Sequence, residues 1–524
     1  MSVLPCVACG ASARQAEVDL ISAVGARQSL LLNSNVPPEA SDLASVQTTI
    51  TETDAQLANL DAQIARRPAS LRDLEERRTM LWNYRTRTHA ILSPLRRVPP
   101  ELLGHIFLCT LPGAVEALKR GRIDMADSPW LLTQISSHWR AVALSIPSLW
   151  SNISIDYMES FHNASTYSLP LVETQIQRSR ELRIHFYGCE EMDATPQTAM
   201  LQLLSHHSLR WRDLSLGITS AMAPFLPSLR DRLPALKTLW IHWNIPQSHP
   251  AVTPLDCFQT ASSLVNVGIH NSELYVPILF PAHALTRYEL NAPWDFHLGI
   301  LNNAPSLVEA RIIIYSDQEP WPVLAQPILL PHLRRLYLSH PEFADSLVLP
   351  ALEELAGEVP NLDMAALLRA LVERSSCTLR RLASIRTVSA QAIIELLRRF
   401  PSITELAISM DSMNHYQAVH SLIAALTSLS GDPSLAPGLN QILFGCQYGT
   451  DIDYEVYLDM LKSRWNAENC DLKLAALLID SGKAPDQATL DGLAALRRDG
   501  LYLSVLTGSA AGDEMNLWSY ATDW

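Results

Sequence analysis

The chain has 524 residues, of which 48% are apolar and 18% charged, with a formal net charge of −14. Such a composition supplies a large core and several domains' worth of chain, and it excludes wholesale disorder. An acidic balance also speaks against a nucleic-acid-binding chain, since phosphate contacts need a basic face.

Residues 1–40 are polar and small, end in Val36-Pro37-Pro38, and read as a flexible lead. Met1 to Leu20 has no basic segment followed by an apolar core, so no secretory signal is expected. No stretch approaches the roughly 18 consecutive apolar residues of a membrane span. Eight scattered cysteines point to reduced thiols in a cytoplasmic or nuclear protein rather than to a disulfide framework. Cys6 and Cys9 form the one close pair. With no second pair they fall short of a zinc site, so no metal or cofactor is expected.

Residues 41–92 carry a helical stripe: Leu43, Val46, Ile50, Thr53, Leu57, Leu60 and Ile64 step by three and four, the spacing that lines one helix face. Pro68 interrupts it by removing a backbone donor, and Leu71, Leu74, Arg78 and Leu81 resume it. The pattern fits a helical hairpin or a coiled coil. Arg66, Arg67, Arg72, Arg77, Arg78, Arg85 and Arg87 make the segment basic, diluted by Asp73, Glu75 and Glu76. A solvated helix face is the expected use.

Residues 93–155 read as a compact helical module. Pro99-Pro100-Glu101 is a helix start, because proline is pre-organised for the first turn and an acid there complements the dipole. Leu102, Leu103, Ile106 and Phe107 place two adjacent apolar pairs one turn apart. Ser128-Pro129 reads as the N-cap and first position of a second helix bearing Leu131, Ile135, Trp139, Val142 and Ile146, with Pro147 ending it. Two short helices then hold more apolar surface than they can bury between themselves. That marks either a corner of a larger core or a docking module for another protein.

Taken together, Leu95-Arg-Arg-Val98-Pro99-Pro100-Glu101-Leu102-Leu103-Gly-His-Ile106-Phe107, Pro129-Trp130-Leu131-Leu132-Thr-Gln-Ile135-Ser-Ser-His-Trp139-Arg140 and Ile146-Pro147-Ser148-Leu149-Trp150 resemble an F-box. The likeness is to the large family of fungal F-box proteins, in which a heptad-rich helix leads into the motif. The resemblance implies binding to a Skp-type adaptor and, through it, to the cullin scaffold of an SCF ubiquitin ligase. The adaptor-binding residues it implies are Leu95, Val98, Pro99, Pro100, Leu102, Leu103, Ile106, Phe107, Ile135 and Trp139. Val98 stands where leucine is usual, Ser136 where cysteine is frequent, and residues 110–128 lengthen the inter-helix loop. The missing methylene at Val98 costs under about 1 kcal/mol, weakening such binding without abolishing it.

From about residue 180 the chain repeats the phrase apolar-x-x-apolar-x-apolar, the core of a leucine-rich repeat. Clear copies begin at Trp211, Leu236, Leu264, Leu285, Leu307, Leu333, Ile403 and Leu439. Weaker ones at Leu352 and Leu379 lose the third apolar position. The ten starts are about 25 residues apart on average, inside the range of known repeats. Helical runs such as Met364 to Glu373 and Ala390 to Arg399 lie between phrases, so each unit is expected to be one strand and one helix. The inward-turning asparagine of such units is present at Asn244 but absent at Pro293, Tyr315 and Pro341, which makes the repeat irregular. An ordinary α/β domain is the competing reading. The last strand is expected at Leu501 to Val505, and residues 511–524 as a loose tail.

Reading for chemistry finds no phosphate loop, H-E-x-x-H or G-x-S-x-G phrase. The acidic run Asp451, Asp453, Glu455, Asp459 lacks the glycine turn and terminal glutamate of a calcium loop. No enzyme is expected. The fold class is therefore α/β: a helical leader (41–92), a small all-α F-box module (93–155) and an irregular leucine-rich-repeat solenoid of stacked parallel strands (156–510). The expected function is a substrate receptor of an SCF-type ligase, its adaptor held by the F-box and an unknown protein target by the repeats, with no nucleic acid or membrane partner. Trp240, His242, Glu289, Arg311 and Tyr337, flanking buried strand positions, are the candidate target contacts, since aromatics and arginine dominate binding energy. The alternative is a repeat scaffold whose helical module merely caps the solenoid. It requires Ile106, Phe107 and Trp139 to be buried against the first repeats, whereas docking requires them to face solvent.

Overall fold

The computed structural model describes residues 26–33, 37–66, 71–113, 117–118, 122–158, 167–243, 254–271, 275–314, 324, 326–410, 416–427, 435–447, 452–467, 471–481 and 484–518. The Cys6/Cys9 pair, Asn244, Tyr315 and Asp451 lie outside them. The chain divides into two compact units, Met1–Ile153 with Thr166–Glu181, and Ser154–Ser165 with Leu182–Trp524.

The first unit is helical. It opens with α1 (Ala26–Asn33), α2 (Ala40–Arg66) and α3 (Leu71–His89), of which α2 and α3 pack along each other as a hairpin. The stripe explains the pairing: Val46, Ile50, Thr53 and Leu60 are buried. Leu31 of α1 joins Val46, Ile50 and Ile91 in one apolar cluster, so residues 26–33 are a packed helix within the stretch read from sequence as a flexible lead. Two arginines of the basic run are answered by acids on the facing helix, and Arg27 of α1 by an acid of α2. Arg78 Nε lies 2.6 Å from Asp61, Arg85 pairs with Asp54, and Arg27 reaches Asp42 at 2.9 Å. Such exposed pairs are worth under about 1 kcal/mol each, so the stripe holds the hairpin and the charges tune it.

Downstream lie α4 (Pro100–Cys109), α5 (Leu132–Ile135), α6 (Ser137–Ser145), a 3₁₀ turn at Pro147–Trp150, and α7 (Leu169–Arg178). Pro100 starts α4 and Glu101 sits in its first turn, as expected. The second expected helix is two. Ser136 adopts extended backbone, with φ −160° and ψ 164°, and its hydroxyl accepts from Trp139 N at 3.1 Å. Serine competes for backbone donors in this way, which makes it a better cap than helix interior. The cap is therefore Ser136, not Ser128.

The second unit is a parallel sheet with helices. Its strands are β1 (Asn152–Asp156), β2 (Leu182–Tyr187), β3 (Trp211–Ile218), β4 (Thr238–Trp243), β5 (Asn266–Asn271), β6 (Arg287–Ala292), β7 (Glu309–Ile314) and β8 (Ile328–Leu329). They continue as β9 (Arg335–Leu338), β10 (Leu347–Val348), β11 (Glu354–Val359), β12 (Arg381–Val388), β13 (Glu405–Met410), β14 (Gln441–Cys446), β15 (Leu474–Ile479) and β16 (Tyr502–Thr507). Fourteen form one sheet in chain order, β8 and β10 pairing separately. The helices are α8 (Ala194–Ser205), α9 (Trp294–Leu301), α10 (Leu362–Ser375), α11 (Ala390–Arg399), α12 (Tyr416–Leu426), α13 (Tyr454–Asn466), α14 (Gln487–Arg498) and α15 (Ser509–Trp518).

Each repeat phrase lands on a strand. Trp211 begins β3, and the other nine starts stand two residues ahead of β4 to β7, β9 and β11 to β14, all buried. From β11 onward every connection between strands is an α-helix, but several earlier connections contain only 3₁₀ turns among the described residues, such as Ala223–Leu229 and Pro341–Ser346. One helix per unit therefore holds for the C-terminal part alone. The end of the chain also differs from expectation: α15 occupies Ser509–Trp518, with Ala511 and Met515 buried, where a loose tail was expected.

Because side chains alternate across a strand, the phrase puts its apolar residues on one sheet face. Phe444 on that face meets Tyr457 of α13 with ring centroids 5.7 Å apart. Tyr288 donates its hydroxyl to His297 Nδ1 of α9, while His297 Nε2 donates to Ile313 O at 3.1 Å. A carbonyl only accepts, which fixes this tautomer. At the first strand position of the opposite face, charges alternate in register: Arg287, Glu309, Arg335, Glu354, Arg381, Glu405. Glu309 lies 3.0 Å from Arg287 and 3.8 Å from Arg335, and Glu354 lies 3.1 Å from Arg335 and 3.9 Å from Arg381.

Candidate functional site

In the helical unit, Leu103, Phe107, Trp130, Leu132, Val142, Ala143, Leu149 and Trp150 form the core. Trp150 donates from Nε1 to Ala143 O at 2.9 Å and meets Trp130 edge-on at 5.1 Å. The Arg178 guanidinium of α7 lies 4.4 Å from the Trp150 ring and 5.0 Å from Trp130, adding cation–π attraction to the core. Burial lowers its pKa. This assigns Thr166–Glu181 to the helical unit, although the sequence boundary fell at residue 155. Nothing in the sequence marks Arg178, which acts from more than twenty residues beyond the motif.

The implied adaptor contacts separate into two sets. Leu102 is 55% and Ile106 49% exposed, one turn apart on α4, and Leu95, Pro99, Pro100 and Ile135 are exposed as well. Val98 and Trp139 are half-buried, Trp139 lying 4.9 Å from the Phe107 ring. Leu103 and Phe107 are buried in the unit's own core and cannot touch a partner, which corrects their assignment as contacts. Phe107 is thus sealed by its own unit, and Ile106 faces solvent.

In the sheet unit the five candidate target contacts share one face. Pairing places Ser215, Trp240, Gly268, Glu289, Arg311, Tyr337, Ala356, Ala383, Ala407, Leu443 and Ala476 in a single row across successive strands. His242 stands in the next row beside His270, the imidazoles stacked 5.3 Å apart. A Cβ at position 268 would overlap the Trp240 ring, so glycine is what lets the indole lie across β5. Arg311 pairs with Glu289 and lies 4.9 Å from the Tyr337 ring. Glu289 is 4% exposed and Tyr337 is equally enclosed, so they orient Arg311 rather than present themselves, a second correction. Trp240, His242 and Arg311 are the half-exposed members.

Burial pushes the Glu289 carboxyl up, and the adjacent Arg311 draws it back only in part. Burial lowers the His270 pKa, and the nearby charges of His242 and Arg311 lower it further. Both effects favour the neutral imidazole at His270, while Arg311 stays paired with Glu289. Asp453 of the acidic run caps α13, accepting from Glu455 N and Val456 N at 3.1 Å. Among the described residues no group of three His, Cys, Asp or Glu side chains is placed to hold a metal ion, and no helix is long and apolar enough to cross a membrane. No protein-family model matches the chain, and no curated protein matches it.

Proposed function

We propose that the chain is a non-catalytic substrate receptor of an SCF-type ubiquitin ligase. Its helical module binds a Skp-type adaptor, and its strand–helix units, an irregular leucine-rich-repeat solenoid, hold a target protein. The observation that carries the reading is α4, which is apolar on two faces. Leu103 and Phe107 are spent on the core while Leu102 and Ile106 are left in water. Covering a leucine or isoleucine side chain is worth about 1.5–3 kcal/mol, so two such residues beside Leu95, Pro99 and Ile135 are a docking surface rather than incidental exposure. On the target side the half-exposed Trp240, His242 and Arg311 carry the contact, with Glu289 and Tyr337 positioning Arg311.

Co-expression with a Skp-type adaptor tests the first half. Leu102→Asp with Ile106→Asp is expected to abolish co-purification while leaving the melting temperature of the isolated chain unchanged. Equal recovery of adaptor with both chains would discard the ligase reading.

A further inference from the structure

The sheet face that carries the candidate target contacts already holds a helix over its C-terminal strands. After β16 the chain turns at Gly508, whose φ of +69° suits glycine, and α15 packs against β15 and β16. Among the described residues of α15, Ala511 and Met515, one turn apart, are the buried ones. They join Ala476 and Leu478 in an apolar cluster that continues through Ala407, Ala383 and Ala356 to Tyr337. Ser509, Ala510, Asp513, Glu514, Asn516 and Leu517 face outward.

This contact differs from those on the opposite face. Among its described side chains α15 buries two, whereas α11 buries Ala392, Ile393, Leu396 and Leu397. Its 10 residues fall short of the length at which a helix is stable alone in water, so the sheet maintains it. Alanine side chains let a helix backbone come close to the strands, and an unbranched methionine fills the gap that remains. Ile385, Leu443 and Leu506 stay half-exposed against the same cluster, apolar surface that α15 leaves uncovered.

We propose that α15 is a displaceable internal occupant of a helix-accepting surface. The partner this surface takes is an amphipathic helix of the target, presenting a small residue and a long unbranched apolar residue four positions apart. The proposal rests on the reading that targets bind this sheet face. Where the target extends from Trp240, His242 and Arg311 to β15 and β16, its helix and α15 require the same strands and exclude one another, so α15 keeps that end of the face closed until a better helix arrives.

The test uses the full chain, wild type and Met515→Asp, with a fluorescein-labelled peptide of residues 508–518 as the probe. Amides of residues 509–518 are expected to exchange with deuterium at least about tenfold faster in the variant, and the probe to bind it at least about tenfold more tightly than wild type. A peptide with the same substitution is expected to bind neither chain. A released helix with no gain in probe binding overturns the proposal, as does unchanged exchange in the variant. Should Met515→Asp not fold, Met515→Ala, which only shortens the anchor, is judged on the same two outcomes. Neither adaptor nor target is present, so failure here leaves the adaptor result standing, and loss of the adaptor result leaves this one.

Discussion

The two ends of the large sheet solve the same packing problem differently. Behind both, apolar phrase residues face the connecting segments. In front, strands β3 to β9 carry Trp240, Glu289, Arg311 and Tyr337, large groups that fill the space above the sheet through one another. Strands β11 to β15 continue the row with Ala356, Ala383, Ala407, Leu443 and Ala476 and come under a helix at their end. Side-chain volume in one row therefore decides whether the face is finished by its own residues or by a segment laid upon it. An α-helix follows each strand from β11 to β15, among the small residues, whereas the strands bearing the large ones are joined by α9 and by irregular connections.

The comparison breaks first at Arg311. Arg311→Met strands the Glu289 carboxylate under the face, and removing one partner of a buried pair costs about 3–5 kcal/mol. Denaturant unfolding at pH 7 is expected to show this loss, with part of it recovered as the pH is lowered, because burial already pushes the Glu289 carboxyl up and Arg311 no longer draws it back. Acid should also separate the two ends. His297, behind β6, has its pKa pushed down to about 4 by burial. It is neutral in both folded and unfolded chains above its ordinary value of 6.5, so its contribution is fully present there and is lost as pH falls toward 4, about 3 kcal/mol in all. His297→Gln is expected to flatten that part of the stability–pH curve. The smallest expected effect lies in the alanine row, where Ala407→Leu adds bulk at a fully buried position and should cost about 1–3 kcal/mol in thermal or denaturant melts. A neutral result would mean that the small residues there are incidental.

Most of the strand order was legible because the phrase is a packing rule: Leu236 with Leu239 and Ile241 must lie on one face of one strand. β15 went unread although Leu472, Ala475 and Leu477 stand at the phrase positions and are buried, as Leu307, Ala310 and Ile312 are at β7. The exposed pair Leu102 and Ile106 could be anticipated from spacing. That Leu103 and Phe107 would turn inward could not, since adjacent apolar pairs on a helix do not say which member meets the core. The α15 contact was illegible for a related reason. Its anchor is two side chains in a polar stretch, and the alanines beneath it give no periodic signal of their own.

The alternating Arg–Glu series along the first strand position has an evolutionary corollary. Copying or deleting one strand–helix unit between Arg287 and Glu405 would bring two arginines or two glutamates side by side, and directly opposed like charges destabilise a sheet. Adding or removing two preserves the alternation. Growth and loss in this stretch of the chain are thus subject to a parity rule, and its lineage should change length there by even numbers of units.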